Sequence, residues 1–173
     1  MILTLKNYFN NLNNIHCKTL NLPKIVLPND FYNEDKKGWY STKAPGYYTY
    51  GLFDNIKNKI VSIFPKDFFT DDTNIIAQVI KPGVNNFIHT DGTRLFAMNY
   101  LIARGGQNVS LGLYDDNKNL IKDHIQLPGE WIILNTQKNH ALNNIETVRT
   151  SISIQFFKIN QKQSVWINER IRD

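Results

Sequence analysis

The sequence predicts a mainly β protein, an all-β sandwich or jelly roll with helices in its amino-terminal part. Three observations predict it. From Thr73 onward, about eight short runs rich in β-branched and aromatic residues follow one another. Turn signals separate them: Lys81-Pro82-Gly83, Gly105-Gly106, Asp115-Asp116-Asn117-Lys118 and Pro128-Gly129. Before that point the clearest pattern has helical spacing instead.

The elements can be taken in order. Leu3 to Leu12 predicts a short helix with Leu5, Phe9 and Leu12 on one side. Leu22-Pro23 and Leu27-Pro28 break any continuation. Asn29-Asp30 and Asn33-Glu34-Asp35 read as loop or cap residues. Trp39 to Gly51 is a loop dense in aromatics, punctuated by Pro45-Gly46. Phe53 to Phe64 is the strongest helix, because Phe53, Ile56, Ile60 and Phe64 repeat near helical spacing and Pro65 stops it. Strands are expected at Ile75 to Ile80, Phe87 to Asp91, Leu95 to Ala103, Val109 to Tyr114, Leu120 to Leu127, Trp131 to Leu134, His140 to Leu142 and Arg149 to Phe157. A short helix is expected around Val165 to Ile171. The division is one domain over residues 1–173. Residues 1–72 form a helical and loop support, 73–158 the β core and 159–173 a tail, with no linker.

Composition bounds the function classes. At 173 residues, 42% hydrophobic and 20% charged, the chain is a globular domain able to bury a core. No apolar run approaches the ~20 residues that span a bilayer. The amino terminus lacks a positive region followed by a long apolar stretch, so no signal peptide is expected. A single cysteine, Cys17, excludes an internal disulfide and a cysteine metal cluster. These features point to a cytoplasmic protein. The net charge of +5 leaves anionic partners, nucleic acid among them, open. Yet the lysines are scattered without a dense basic run, as on an ordinary solvated surface. The frequent Asn, in pairs such as Asn10-Asn11 and Asn143-Asn144, reflects an AT-rich genome rather than a motif.

The chemistry concentrates in His89-Thr90-Asp91. On an extended strand His89 and Asp91 leave the same face. An imidazole and a carboxylate there are two-thirds of the two-His-one-carboxylate triad that holds non-haem Fe(II) with open positions. The bland reading is a surface turn at Asp91-Gly92. His140 opens a late strand, and in a jelly roll a late strand can lie beside an early one. Arg149 opens the last strong strand. Facing inward, its cation is costly unless it meets an anion, and a dicarboxylate cosubstrate supplies one. On the surface it pairs with Glu146 or Asp91 instead. His16 and His124 have no partners at ligand spacing and read as surface residues. Cys17 reads as a small apolar filler and Trp131 as core.

The run from Ile75 to Phe157 resembles the Fe(II)- and 2-oxoglutarate-dependent dioxygenases, particularly the prolyl-hydroxylase-like group. The matching pieces are IIAQVIKPG, FIHTD, MNYLIARGG, LPGEWIIL and HALNNIETVRTSISI, in that order, over roughly half the chain. HALN is also similar to the aspartyl/asparaginyl β-hydroxylases. The resemblance implies a double-stranded β-helix (jelly roll) in which His89, Asp91 and His140 hold the iron. It implies that Arg149 binds the distal carboxylate of 2-oxoglutarate, with Ser151 and Tyr100 at the same group. Lys81 stands where relatives often carry an aromatic. The implied reaction consumes O2 and 2-oxoglutarate, releases succinate and CO2, and hydroxylates a C–H bond of a peptidyl or amino-acid-like substrate. Two other functions share the scaffold: a cupin-type metal enzyme that does not use 2-oxoglutarate, and a non-catalytic jelly-roll binding module. Thr93, Arg94 and the Trp39–Tyr50 aromatics are candidates for the pocket mouth, or for plain surface and cover.

Overall fold

Alternation along the strands decides which residues face the helices and which face the site. In the computed structural model, which describes residues 11–27, 40–41, 45–84 and 87–172, the strands are β1 (Cys17–Leu20), β2 (Tyr40–Ser41), β3 (Tyr47–Gly51), β4 (Thr73–Ile80), β5 (Phe96–Ala103), β6 (Ser110–Tyr114), β7 (Leu120–His124), β8 (Trp131–Asn135), β9 (His140–Asn143) and β10 (Arg149–Phe156). Among the described residues, α1 (Asp54–Val61) and α2 (Gln161–Asn168) flank them. Every pairing is antiparallel. A seven-stranded sheet runs β1-β8-β5-β10-β4-β3-β2, and a three-stranded sheet runs β7-β6-β9. This is the mainly β jelly roll that the strand and turn pattern predicts.

The large sheet is buried on both faces. One face carries Ile75, Ala77, Val79, Phe96, Met98, Tyr100, Trp131, Ile133, Ile152, Ile154 and Phe156, packed with Ile56 and Ile60 of α1 and Ile167 of α2. Such side chains contribute roughly 1.5–3 kcal/mol each when fully buried. The other face meets the small sheet, where Ile132 and Leu134 pack on Leu111 and Leu113, with Cys17 as the expected apolar filler. Burial on both faces explains why Trp131-Ile132-Ile133-Leu134 is an unbroken apolar run. The inner face of β10 is different: it is Arg149, Ser151 and Ser153, all buried.

Several expectations change. Phe87 to Asp91 is not a full strand among the described residues; His89 alone forms a bridge, to His140. The amino-terminal part is not just helix and loop, because β1 pairs with β8 and β3 with β4, extending the large sheet. Backbone pairing with an existing edge made these strands, a tertiary effect that local patterning does not carry. The first expected helix lies almost wholly outside the described residues, of which 11–14 are helical. The second ends at Val61, and Phe53 is its exposed N-cap rather than part of the apolar stripe. The last begins earlier than expected. Asn160 and Gln163 form a reciprocal capping box there, with bonds of 2.9 and 2.8 Å.

Gly105 shapes the loop between β5 and β6. Its φ of +88° suits glycine, and a Cβ there would stand 2.8 Å from Arg149 Cβ. Its carbonyl accepts from the amides of Glu146 and Thr147, each at 2.8 Å, tying the loop to the start of β10. Gly105→Ala is expected to destabilise the fold by ~1–3 kcal/mol through strain and clash, read as a lowered denaturation midpoint with an unchanged slope.

Candidate metal and anion site

Each metal-ligand candidate is placed by backbone hydrogen bonds. His89 N donates to His140 O at 3.1 Å and His140 N to His89 O at 3.0 Å, so the two rings stand side by side, centroids 4.5 Å apart. Asp91 N donates to Thr136 O at 2.8 Å, and Gln137 Nε2 donates to the carbonyls of Asp91 and Arg94, both at 2.7 Å. The three candidate donor atoms of His89, Asp91 and His140 lie within 4.8 Å of one another. His89 Nε2 is 4.0 Å from Asp91 Oδ1.

The surroundings suit a metal. His89 Nδ1 lies 2.9 Å from Phe87 O, and His140 Nδ1 lies 2.8 Å from Lys138 O. A carbonyl only accepts, so each Nδ1 carries the proton and each Nε2 is left with its lone pair. This is the outer support that ligating imidazoles use. Burial pushes His140 well below its ordinary value, against the carbonyl of Lys138, which pulls it up. The ring is therefore neutral and ready to ligate at neutral pH. Arg94 holds the other side of Asp91: its Nε and Nη2 donate to Oδ2 at 2.9 and 2.6 Å. One carboxylate oxygen is thus occupied, and Oδ1 faces His89. Two nitrogens and one oxygen, with no thiolate, make a donor set suited to Fe(II).

A pocket between the sheets joins this cluster to Arg149. His89, His140, Arg94, Arg149, Ser151 and Tyr47 line it together with apolar Ile80, Leu111, Ile132, Leu134 and Leu142. Arg149 is 6% exposed. Its Nη1 donates to Arg104 O at 3.2 Å and its Nη2 to Gln126 Oε1 at 3.3 Å, both neutral acceptors. Among the described residues no carboxylate reaches it, and its Nε is unpartnered. Asp91 belongs to Arg94, and Glu146 accepts from Gln107 N and Asn108 Nδ2. The surface-pair alternative for Arg149 is therefore excluded. Burial lowers its pKa to about 10, Tyr47 pulling it up and Arg104 pressing it down. It stays cationic at neutral pH, a buried charge that lacks a counter-ion among the described residues.

Tyr100 is the correction. It was expected beside Arg149, but it sits on the helix-facing side of β5, its ring tilted against Trp131 with centroids 5.0 Å apart. Its hydroxyl accepts from Ile25 N at 3.1 Å and donates to Ile25 O at 3.3 Å. Strand parity is the cause: Asn99 and Leu101 take the inner face, so Tyr100 cannot. Lys81 is exposed, its Nζ 5.2 Å from the Tyr48 ring centroid, and it does not line the pocket. His16 and His124 are half-buried rather than on the surface, and neither joins the cluster; His16 Nε2 meets Asn139 O at 2.8 Å. Tyr47, one of the aromatics expected at the pocket mouth or as plain cover, is a pocket wall. Tyr47 pairs with Ile80, which pairs with Arg149, so the three share one row across the sheet. Burial pushes the Tyr47 phenol up, against Arg149 and Arg94, which draw it down. Trp39 lies outside the described residues.

Two outcomes follow from this geometry. His140 is buried neutral, so the unfolded chain binds more protons once pH falls below the ordinary imidazole value of ~6.5. Stability of the metal-free protein is expected to be complete above that value and to decline as pH drops through and below it. His140→Asn should flatten that slope in denaturant titrations at stepped pH. Arg94→Ala is expected to weaken divalent-metal affinity by ~10–100-fold through loss of Asp91 support, measured by Co(II) absorbance titration.

No protein-family model matches this sequence, and no curated protein resembles it significantly. Solved structures do share its fold. An oxidoreductase of the 2OG-Fe(II) oxygenase family from Burkholderia pseudomallei superposes with a TM-score of 0.52 at 8% identity, covering 88% of this chain and 90% of that one. A prolyl-4-hydroxylase from Pseudomonas putida gives 0.49 at 10% identity, covering 88% and 98%. The ectoine synthase from P. lautus gives 0.46 at 12% identity, covering 86% and 88%. The chain therefore has the fold of the Burkholderia 2OG-Fe(II) oxygenase, and both histidines of its His-Asp-His cluster line, with the buried arginine, one pocket between the two sheets of that fold.

Proposed function

We propose that this protein is an Fe(II)- and 2-oxoglutarate-dependent dioxygenase that hydroxylates a C–H bond of a peptidyl or amino-acid-like substrate. The observation that carries this reading is one pocket lined by both histidines of a two-His-one-Asp donor cluster and by a buried arginine that has no counter-ion among the described residues. A divalent metal alone leaves the arginine unexplained. A dicarboxylate with a chelating end and a distal charged end accounts for both.

In this reading His89 and His140 bind the metal through Nε2 and Asp91 through Oδ1. Fe(II) held there supplies the activation of O2, coupled to decarboxylation of 2-oxoglutarate to succinate and CO2. Arg149 receives the distal carboxylate in a charge-assisted pair, with Ser151 two residues along on the same face. That pair ends the cost of burying an unpaired cation, which biases the pocket toward a dicarboxylate over a monocarboxylate. Arg94 keeps Asp91 to one ligating oxygen. The apolar walls exclude water, strengthening each of these charge contacts. The exposed Phe87 ring, 5.4 Å from His89 by centroids, stands at the cluster's solvent side, where a substrate must approach.

The test is anaerobic Fe(II) and 2-oxoglutarate binding, followed by succinate release in air. Wild type is expected to bind both and to form succinate slowly without substrate. His140→Ala should abolish metal binding. Arg149→Ala should retain the metal and weaken 2-oxoglutarate by ~100-fold or more, as for a buried charged contact. Metal binding with no succinate would instead indicate a cupin-type enzyme, and no metal binding a non-catalytic module.

A further inference from the structure

We infer that Gln126 is the positioning residue of the anion anchor: it aims the Arg149 guanidinium and, because it is neutral, leaves the arginine's charge for an incoming carboxylate. This rests on the reading of Arg149 as the cosubstrate anchor. Gln126 follows β7 in the loop that ends at Pro128-Gly129, and it is 3% exposed. Its Nε2 donates to Asn99 O at 3.0 Å and to Glu130 O at 2.9 Å. Those two carbonyls fix the amide's orientation, since a flipped amide would set its oxygen against two acceptors. The Oε1 must therefore face Arg149, whose Nη2 it receives at 3.3 Å. The backbone carbonyl of Arg104 takes Nη1.

Two of the five guanidinium N–H groups are thus spent on neutral acceptors, one on each terminal nitrogen. The Nε has no partner among the described residues. A carboxylate at Gln126 would have closed the ion pair internally and left nothing for a ligand. An aliphatic residue would have left the long Arg149 side chain to find its own rotamer. Glutamine does neither. The same face also holds Asn99 Oδ1 and Ser153 Oγ, paired across β5 and β10 and unpartnered among the described residues. Buried orphans of this kind mark a surface prepared for a polar occupant.

The experiment titrates Co(II)-loaded protein anaerobically with 2-oxoglutarate and with 2-oxopentanoate. The second acid keeps the chelating end and replaces the distal carboxylate with a methyl group. Gln126→Leu is expected to weaken 2-oxoglutarate by ~10-fold, the usual scale for a hydrogen bond to a charged group. Its affinities for Co(II) and 2-oxopentanoate should stay within ~2-fold of wild type, so the discrimination between the two acids collapses. Gln126→Glu should cost ~100-fold or more for 2-oxoglutarate alone, because it supplies the counter-charge from within. If both variants retain wild-type discrimination, or if Gln126→Leu weakens both acids and the metal equally, Gln126 is merely structural and the inference fails. Should Gln126→Glu not fold, the Gln126→Leu ratio decides by itself. Wild type that binds Co(II) but neither acid overturns the dioxygenase reading itself, a result distinct from either variant outcome.

Discussion

The site depends on one pair of backbone hydrogen bonds, those exchanged by His89 and His140. They are short-range contacts between residues far apart in the chain, and they set two imidazoles side by side before any metal is present. Closing so long a loop costs conformational entropy, which no pair of hydrogen bonds repays. The sheets repay it. β9 is held by β6, and the loop from Asn135 to Asn139 is held by Asp91, Arg94 and Tyr114 through backbone or side-chain bonds. The ligand geometry is therefore a by-product of a jelly roll stabilised elsewhere, chiefly by the apolar face against α1 and α2.

That separation of tasks explains the inner face of β10. One side of this strand carries Ile152, Ile154 and Phe156 and anchors the core. The other carries Arg149, Ser151 and Ser153, which weaken the sandwich by burying polar atoms, two of them unpartnered. A protein selected for stability alone would place apolar residues there, as β8 does with Ile132 and Leu134. Local rules broken without compensation inside the protein mark functional sites. In the proposed reading, the compensation would come from the bound dicarboxylate.

The donor cluster and the anion anchor are also electrostatically distinct. Asp91 is paired with Arg94, so the metal end is nearly balanced within the protein. Among the described residues no carboxylate balances Arg149, and its partners there are an amide and a carbonyl. In the proposed reading, a dicarboxylate spanning the pocket would meet a metal held by nitrogen and oxygen donors at one end and the Arg149 cation at the other.

Much of this was legible in the sequence, for local reasons. His-x-Asp, the turn residues, the strand runs and the lone cysteine report chemistry and propensity within a few residues, and the ordered pieces around them pointed to a jelly roll. What lay beyond reach was parity and pairing. Tyr100 was expected in the pocket and faces the helices, because one residue of register moves a side chain to the opposite face. For Tyr47 the sequence left pocket mouth and plain cover open, and it is a pocket wall because β3 adds itself to β4. Gln126 carries no motif at all; its meaning arises only where a loop end meets the guanidinium of a distant strand. The amino-acid sequence by itself determined which residues are candidates for metal and anion binding and which segments extend as strands. The tertiary structure decided which face each occupies and which distant groups meet, because those choices depend on long-range backbone hydrogen bonds that no local pattern encodes.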